Sequence, residues 1–585
     1  MGATWLAAVL GLAGSAWAEA PEGRWLVGVV DAAHPPVAAV SAAGGTLQRC
    51  FRSSRVCLVT GPLDAAALRR DAEVRHVEPD GLLQQAGTLP PDAPCTANWD
   101  LEAIGVDAAW AVQRGADSPI VAIEDSGVLV THQDLAGRIQ SGWDYGDGDP
   151  DPEVVQGGVP EHGTFIAGIV AGNDGDAVGR VGVAPEGQLF LQKIADHDGY
   201  LYFSYALDAM DDIATNRPDV GVLSYSLGGS YAPAAMYDAV AALGQADVLV
   251  VAAAVNCGVP QCDEANNDIS PVFPASYELD NVVAVASLRD DGRLDPYSHY
   301  GAASVALAAP GADICSDTVD SDTSTGVASG TSYATPVVAG IAALVRGAWP
   351  RLTADETART LEASCTPDAQ LATRIRCGGA VSAADAVAVP VVRLEAPDRV
   401  VASPTGTLRI PLDSVGAEGE AVVVVTHTAA LVVHHASAEP FRAGDVLALP
   451  TGDEIAPADG TLLRVPLGAD GDASATVDVE ALADDAQVAS VWAVPVSLDG
   501  RLVGPRVPAQ GGVLFDVTTD AADPTGTEPT TSTSTSTDTT PDTAGDLPLE
   551  DGGDDKGGCG CAGAPGGASG LGGLLLLALV RRRSR

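Results

Sequence analysis

Positive charge is scarce in this chain of 585 residues: 31 Lys and Arg stand against 78 Asp and Glu, a formal net charge of −47. A surface of that sign repels nucleic acid and anionic lipid, so no nucleic acid partner is expected. Histidine is also rare, nine in all, and no Cys/His spacing forms a zinc pattern. The apolar run 571–580 near the C-terminus falls short of the roughly 20 residues that span a bilayer. What the chain does have is length for two or more domains, 46% apolar residues to fill their cores, and an excess of carboxylates that suits calcium.

Residues 1–18, MGATWLAAVLGLAGSAWA, fit an export signal cut after Ala18, although no Lys or Arg precedes the apolar run. Eight of the ten cysteines lie before the tail. In an exported chain an even number reads as disulfides. Cys50/Cys57, Cys257/Cys262 and Cys365/Cys377 are close in sequence, which leaves Cys95 with Cys315.

Residues 19–90 read as a small α+β unit, in which RWLVGVV is a strand and AALRRDAEVRHVEPD a helix then a strand. Pro90, Pro91 and Pro94 mark a linker. Residues 91–390 alternate helical stretches with runs such as SPIVAIEDSG, GQLFLQKIA, VGVLSYSLGG, ADVLVVAAAVN and NVVAVASL. These runs are apolar throughout, the pattern of strands buried on both faces, so the expected fold class is α/β, a mostly parallel sheet between helix layers. Residues 391–520 hold short strands with turn residues between them, including Asp499-Gly500, and read as a β-sandwich. His434-His435 lies there, open to a metal pair but better suited to a half-exposed strand. Residues 521–557, rich in Thr, Ser, Asp and Pro, have the composition of a disordered spacer. Residues 558–585 combine cysteines, a short apolar run and an Arg cluster, and resemble the C-terminal surface-sorting signals of myxobacteria. Attachment to membrane or envelope through this tail is expected.

SGTSYATPVVAG, 329–340, places Ser332 at a helix start behind Gly330. A serine hydroxyl attacks only with a base in reach and an acid to orient that base. His162, opening EHGTFIAGIVAG, is the candidate base, and Asp125, closing the strand SPIVAIED before a Ser126-Gly127 turn, is the candidate acid. A parallel strand end is where such a sheet presents its chemistry. The chain order Asp, His, Ser separates this arrangement from other serine hydrolases.

These blocks resemble those of the subtilisin-like serine proteases, the subtilases. EDSG, HGT and SGTSYATP match the family's Asp, His and Ser blocks; THQDLAGRI, GVAP, LSYSLGG, VVAAAVN, FPASY and LAAPGADI match stretches around them, over about residues 97–388. The resemblance implies an oxyanion-hole role for Asn256 and a substrate-pairing strand at Ser226, Leu227 and Gly228, hence an extended peptide or protein substrate. HVEPD, 76–80, resembles the end of the family's inhibitory propeptide, so residues 19–90 are expected to inhibit their own chain until self-cleavage near the linker. Asp134 and Asp176 match positions where subtilases ligate a structural calcium, with Gly175 and Gly179 shaping the loop. The protein is expected to act as a monomer.

Four positions depart from the family pattern. Glu124 precedes the acid where an apolar residue is usual; its side chain should point away from the catalytic face and needs a partner, for which Lys193 is one candidate. Val255 replaces the glycine before Asn256. Phe165 and Val337 replace histidines at helix positions and should affect packing more than chemistry. The first expectation is therefore a secreted, surface-attached serine endopeptidase. The others are a surface binding protein on an inactive scaffold, and an acidic-site relative of the sedolisin type, against which HGT and Asn256 argue.

Overall fold

Strands such as Ile120–Asp125 and Val220–Tyr225, buried at every position, have no face that tolerates water and need cover on both sides. The structure, a computed structural model, describes residues 23–85, 98–154, 162–175, 178–257 and 265–388, together with the backbone of strands between Pro390 and Ser497. Its largest sheet has nine strands, in the order Thr366–Pro367, Gly379–Ala380, Leu307–Pro310, Val282–Leu288, Leu249–Ala253, Val220–Tyr225, Ile120–Asp125, Leu189–Lys193 and Ile139–Asp144. All neighbours in it are parallel except Thr366–Pro367, which is the expected α/β architecture.

Alternation along each strand feeds two cores. Val121, Ile123, Leu189, Leu191 and Val251 pack with the helices His162–Ala171 and Thr331–Ala348. Ala122, Phe190, Leu223, Val250 and Ala252 pack on the opposite side with Phe203–Asn216 and Ala234–Gln245. Phe165 and Val337 are fully buried in the first core, and the Phe165 ring meets Tyr333 edge-on at 4.8 Å. Both departures from the family pattern thus fill space between the helices.

Residues 23–85 form a four-stranded antiparallel sheet, ordered Thr46–Phe51, Val56–Thr60, Arg24–Val29 and Val74–Pro79. One face has its own core around Val27, Val40, Val59 and Leu68. The other contributes Leu26, Phe51, Val56 and Leu58 to the core of Phe203–Asn216. Between Pro390 and Ser497 two four-stranded antiparallel sheets and a two-stranded one are described. His434 ends one of their strands; His435 and Asp499-Gly500 lie outside the described residues. So do residues 1–18, 521–557 and 558–585, where the export signal, the spacer and the sorting tail are expected. Among the described residues no helix is long and apolar enough to cross a membrane.

Cys50 is bonded to Cys57 and Cys365 to Cys377. Cys257 and Cys315 are also disulfide-bonded; Cys95 and Cys262, the partners expected for them, lie outside the described residues.

Candidate active site

Asp125 is the last residue of its strand and faces the same core as Val121 and Ile123. His162 is the first residue of the helix His162–Ala171. The next residue permits their meeting: a Cβ at Gly163 would lie 2.4 Å from the Gly127 carbonyl oxygen and 3.2 Å from the Asp125 Cβ. With glycine there, the helix start reaches the strand end, and His162 Nδ1 lies 2.7 Å from Asp125 Oδ2. Both residues are buried. Asp125 Oδ1 accepts from the Ser126 N–H at 2.7 Å and the Ser126 hydroxyl at 3.1 Å. A carboxylate only accepts, so Nδ1 carries the proton and Nε2 is left as the basic nitrogen. His162 Nε2 is buried without a hydrogen-bond partner.

Ser332 is the second residue of the helix Thr331–Ala348, behind Gly330 at φ +153°. Its hydroxyl donates to the Ser226 carbonyl at 3.2 Å, and the Ser226 hydroxyl donates to the Ser332 carbonyl at 2.8 Å. Ser332 is therefore tied to the strand rather than to His162 Nε2. The two helices meet through Tyr333, whose ring centroid lies 5.7 Å from that of His162. Base–nucleophile bonds are commonly long in the resting state and tighten when substrate binds.

Asn256 Oδ1 accepts from the Thr331 N–H at 3.0 Å. Only an oxygen can accept there, which fixes the amide with Nδ2 at its other end. The preceding residue, Val255, has φ +66°, a left-handed conformation that a β-branched side chain adopts only under strain. The turn that a glycine would make freely is thus kept at an energetic cost.

Leu227 and Gly228 pair antiparallel with Gln85 and Gln84. On its other side the same segment is held by Leu83 N–H to the Leu201 carbonyl, 2.8 Å, and by a bridge between Leu82 and Tyr202. Residues 82–85 thus lie as an inserted strand between two segments of the 98–388 region, a mode of peptide capture by backbone hydrogen bonds.

Glu124 points to the opposite core, as expected, and is fully buried, but Lys193 is not its partner. Lys193 binds Asp144, with Asp147 at 3.7 Å, because Lys193 pairs in register with Asp125 and not with Glu124. Neither Glu124 oxygen has a hydrogen bond. Burial foremost, and then the Asp125 charge, hold its carboxyl well above the usual carboxylate range, which favours the protonated form.

For calcium, Asp134 is buried, and its two oxygens accept from the Asn173 N–H at 2.9 Å and the Arg180 N–H at 3.0 Å. Its carboxylate fills the space where a Cβ of Gly179 would sit, which ties the 172–180 loop to the Gln133–Leu135 turn. Asp176 lies outside the described residues, and among them no group of three His, Cys, Asp or Glu stands ready to hold a metal ion. The sequence reading gave no role to Ser126, to Thr331 or to the Arg180–Asp100 pair, buried at 2.7 Å. Ser126 was signalled only by its place beside Asp125, and Arg180 by nothing local.

Residues 116–379 match the model of the subtilase family, peptidase S8. Among curated relatives, the thermophilic serine proteinase of Bacillus sp. (strain AK1) is 34% identical over 280 residues, 48% of this chain and 65% of that protein. Thermitase of Thermoactinomyces vulgaris is 36% identical over 239 residues, 40% of this chain and 77% of the relative. Subtilisin E of Bacillus subtilis (strain 168) is 29% identical over 331 residues, 56% of this chain and 80% of the relative.

Proposed function

Because the chain belongs to the subtilase family and carries its serine endopeptidase domain, we propose that it is an exported protease that cuts extended peptide segments through an acyl-enzyme. His162 Nε2 takes the proton as Ser332 Oγ bonds to the scissile carbonyl carbon, then gives it to the amine as the C–N bond breaks. A water repeats the sequence and frees the acid. Asp125 fixes the tautomer and stabilises the imidazolium. The Asn256 amide and the Ser332 N–H, at a helix start, donate to the oxyanion. The single observation that carries this reading is the buried 2.7 Å contact of Asp125 with His162, beside a basic nitrogen with no other use.

Residues 19–90 act, on this proposal, as an intramolecular inhibitor. In support, residues 82–85 occupy the peptide-pairing position. Glu78 accepts from the Ala234 and Ala235 N–H groups at 3.0 and 2.8 Å, and Asp80 from the Ser204 N–H at 2.8 Å. The segment thus binds the N-terminal ends of two helices of the protease. Gln85 faces Leu227, and the adjacent Ser226 touches Ser332, so self-cleavage is expected just beyond Gln85, within 86–97. Residues 1–18 export the chain, and the tail 558–585 anchors it to the surface.

A second reading, a surface binding protein with impaired catalysis, is favoured by the strained Val255 and by the buried Glu124 with neither oxygen hydrogen-bonded. A fluorophosphonate probe separates the two. On the first reading Ser332 is labelled, and Ser332→Ala abolishes peptide hydrolysis and leaves the chain at full length. A Ser332→Ala chain that still matures, or a native chain that is cut but never labelled, would refute it.

A further inference from the structure

The surface that residues 23–85 turn toward the helix Phe203–Asn216 is built largely by one hairpin, Thr46–Phe51 with Val56–Thr60. Phe51, Val56 and Leu58 enter the same buried cluster as Ala206, Leu207 and Met210 of that helix. Polar contacts gather at the hairpin tip. Arg49 meets Asp208 at 3.0 Å. The Ser53 N–H donates to Asp211 Oδ1 at 2.6 Å, and its hydroxyl reaches the same oxygen. The tip needs an unfavourable backbone to do this: Arg55 has φ +56°, and its carbonyl accepts from the Val29 N–H at 2.8 Å and from Arg75 at 3.0 Å.

Cys50 and Cys57 stand directly opposite each other at the base of this tip and are bonded. Strand alternation sends them to the other face of the sheet. Cys57 lies in the cluster of Val27, Val29 and Val59, whereas its neighbours Val56 and Leu58 lie in the cluster of the helix. The crosslink is therefore placed behind the docking face and brackets the loop that reaches Asp211.

We propose that the Cys50–Cys57 disulfide is a positioning element of the inhibitory contact, holding the 51–55 tip in shape for Asp211. This rests on the reading of residues 19–90 as an inhibitor. A loop already fixed in its bound form loses less freedom on docking and dissociates more slowly. Without the crosslink the strained tip opens, the segment leaves the protease sooner, and latency shortens. The mature enzyme, which keeps neither cysteine, is unaffected.

The test uses the full chain. In Cys50→Ser/Cys57→Ser the lag before peptide hydrolysis is expected to shorten about tenfold, with kcat/KM per fluorophosphonate-labelled site unchanged. Cys50→Ala/Cys57→Val, which fills the buried space without a crosslink, should behave alike. An unchanged lag overturns the proposal. So does loss of active enzyme in both cysteine variants, because the crosslink then serves folding of the segment rather than latency. Glu78→Ala, which removes the contact with Ala234 and Ala235, separates the two levels. If it shortens the lag and the cysteine variants do not, only this inference fails. If none of them shortens it, the inhibitor reading fails as well.

Discussion

Glu124 is one residue from Asp125, the acid of the proposed triad, and lies in the opposite core with both oxygens unbonded. Its proton makes this tolerable, and the linkage has a definite sign. The folded carboxyl keeps its proton above the pH at which the unfolded one, near pH 4.3, has lost it, so stability falls as pH rises through that window. Glu124→Gln, in the Ser332→Ala background to prevent self-digestion, should match the parent in thermal stability near pH 4 and exceed it by about 1–3 kcal/mol near pH 8. Equal melting temperatures at both pH values would mean that the carboxyl is partnered and charged. At Asn256 the expected change is in rate. Asn256→Ala should lower kcat by two to three orders of magnitude, about 3–4 kcal/mol, with KM little altered; steady-state kinetics on a peptide substrate measure this.

Among elements, the start of the helix His162–Ala171 governs the site, because only glycine at 163 lets it approach the strand end at Gly127. Gly163→Ala should push His162 away from Asp125 and lower kcat/KM about a hundredfold or more while the fold persists; circular dichroism beside kinetics distinguishes this from unfolding. At this scale the sequence was most informative. Apolar runs without alternation announced the parallel strands, and the small residues after His162 and before Ser332 announced close helix contacts. What stayed hidden depends on register and on distant partners. Lys193 looked available to Glu124 until strand pairing set it beside Asp125. Glu78 and Asp80 lay inside a stretch noted for its resemblance, yet nothing local indicated that they bind helix starts more than 120 residues away. That Asp134 also serves two backbone amides of the 173–180 segment could not be read locally, because those contacts are long-range.

At the level of the whole molecule, the net charge of −47 sets a self-repulsion that counterions relieve. Melting temperature should rise by several degrees between about 0.02 and 0.5 M sodium chloride, since most surface charges lie beyond a Debye length of each other at the higher salt. Scanning calorimetry of the Ser332→Ala protein checks it, and a fall would show that attractive surface pairs dominate instead.

On the proposed reading, the strand at residues 82–85 that pairs with Leu227 and Gly228 belongs to the molecule it blocks. Its capture needs no encounter in solution, so the proposed first cut would be a unimolecular event whose half-time is the same at nanomolar and micromolar protein. Any later cut, made by one molecule on another's released segment, becomes faster with crowding. A population leaving the cell singly would thus be trimmed at once but stay muzzled, and would wake together only where many copies accumulate.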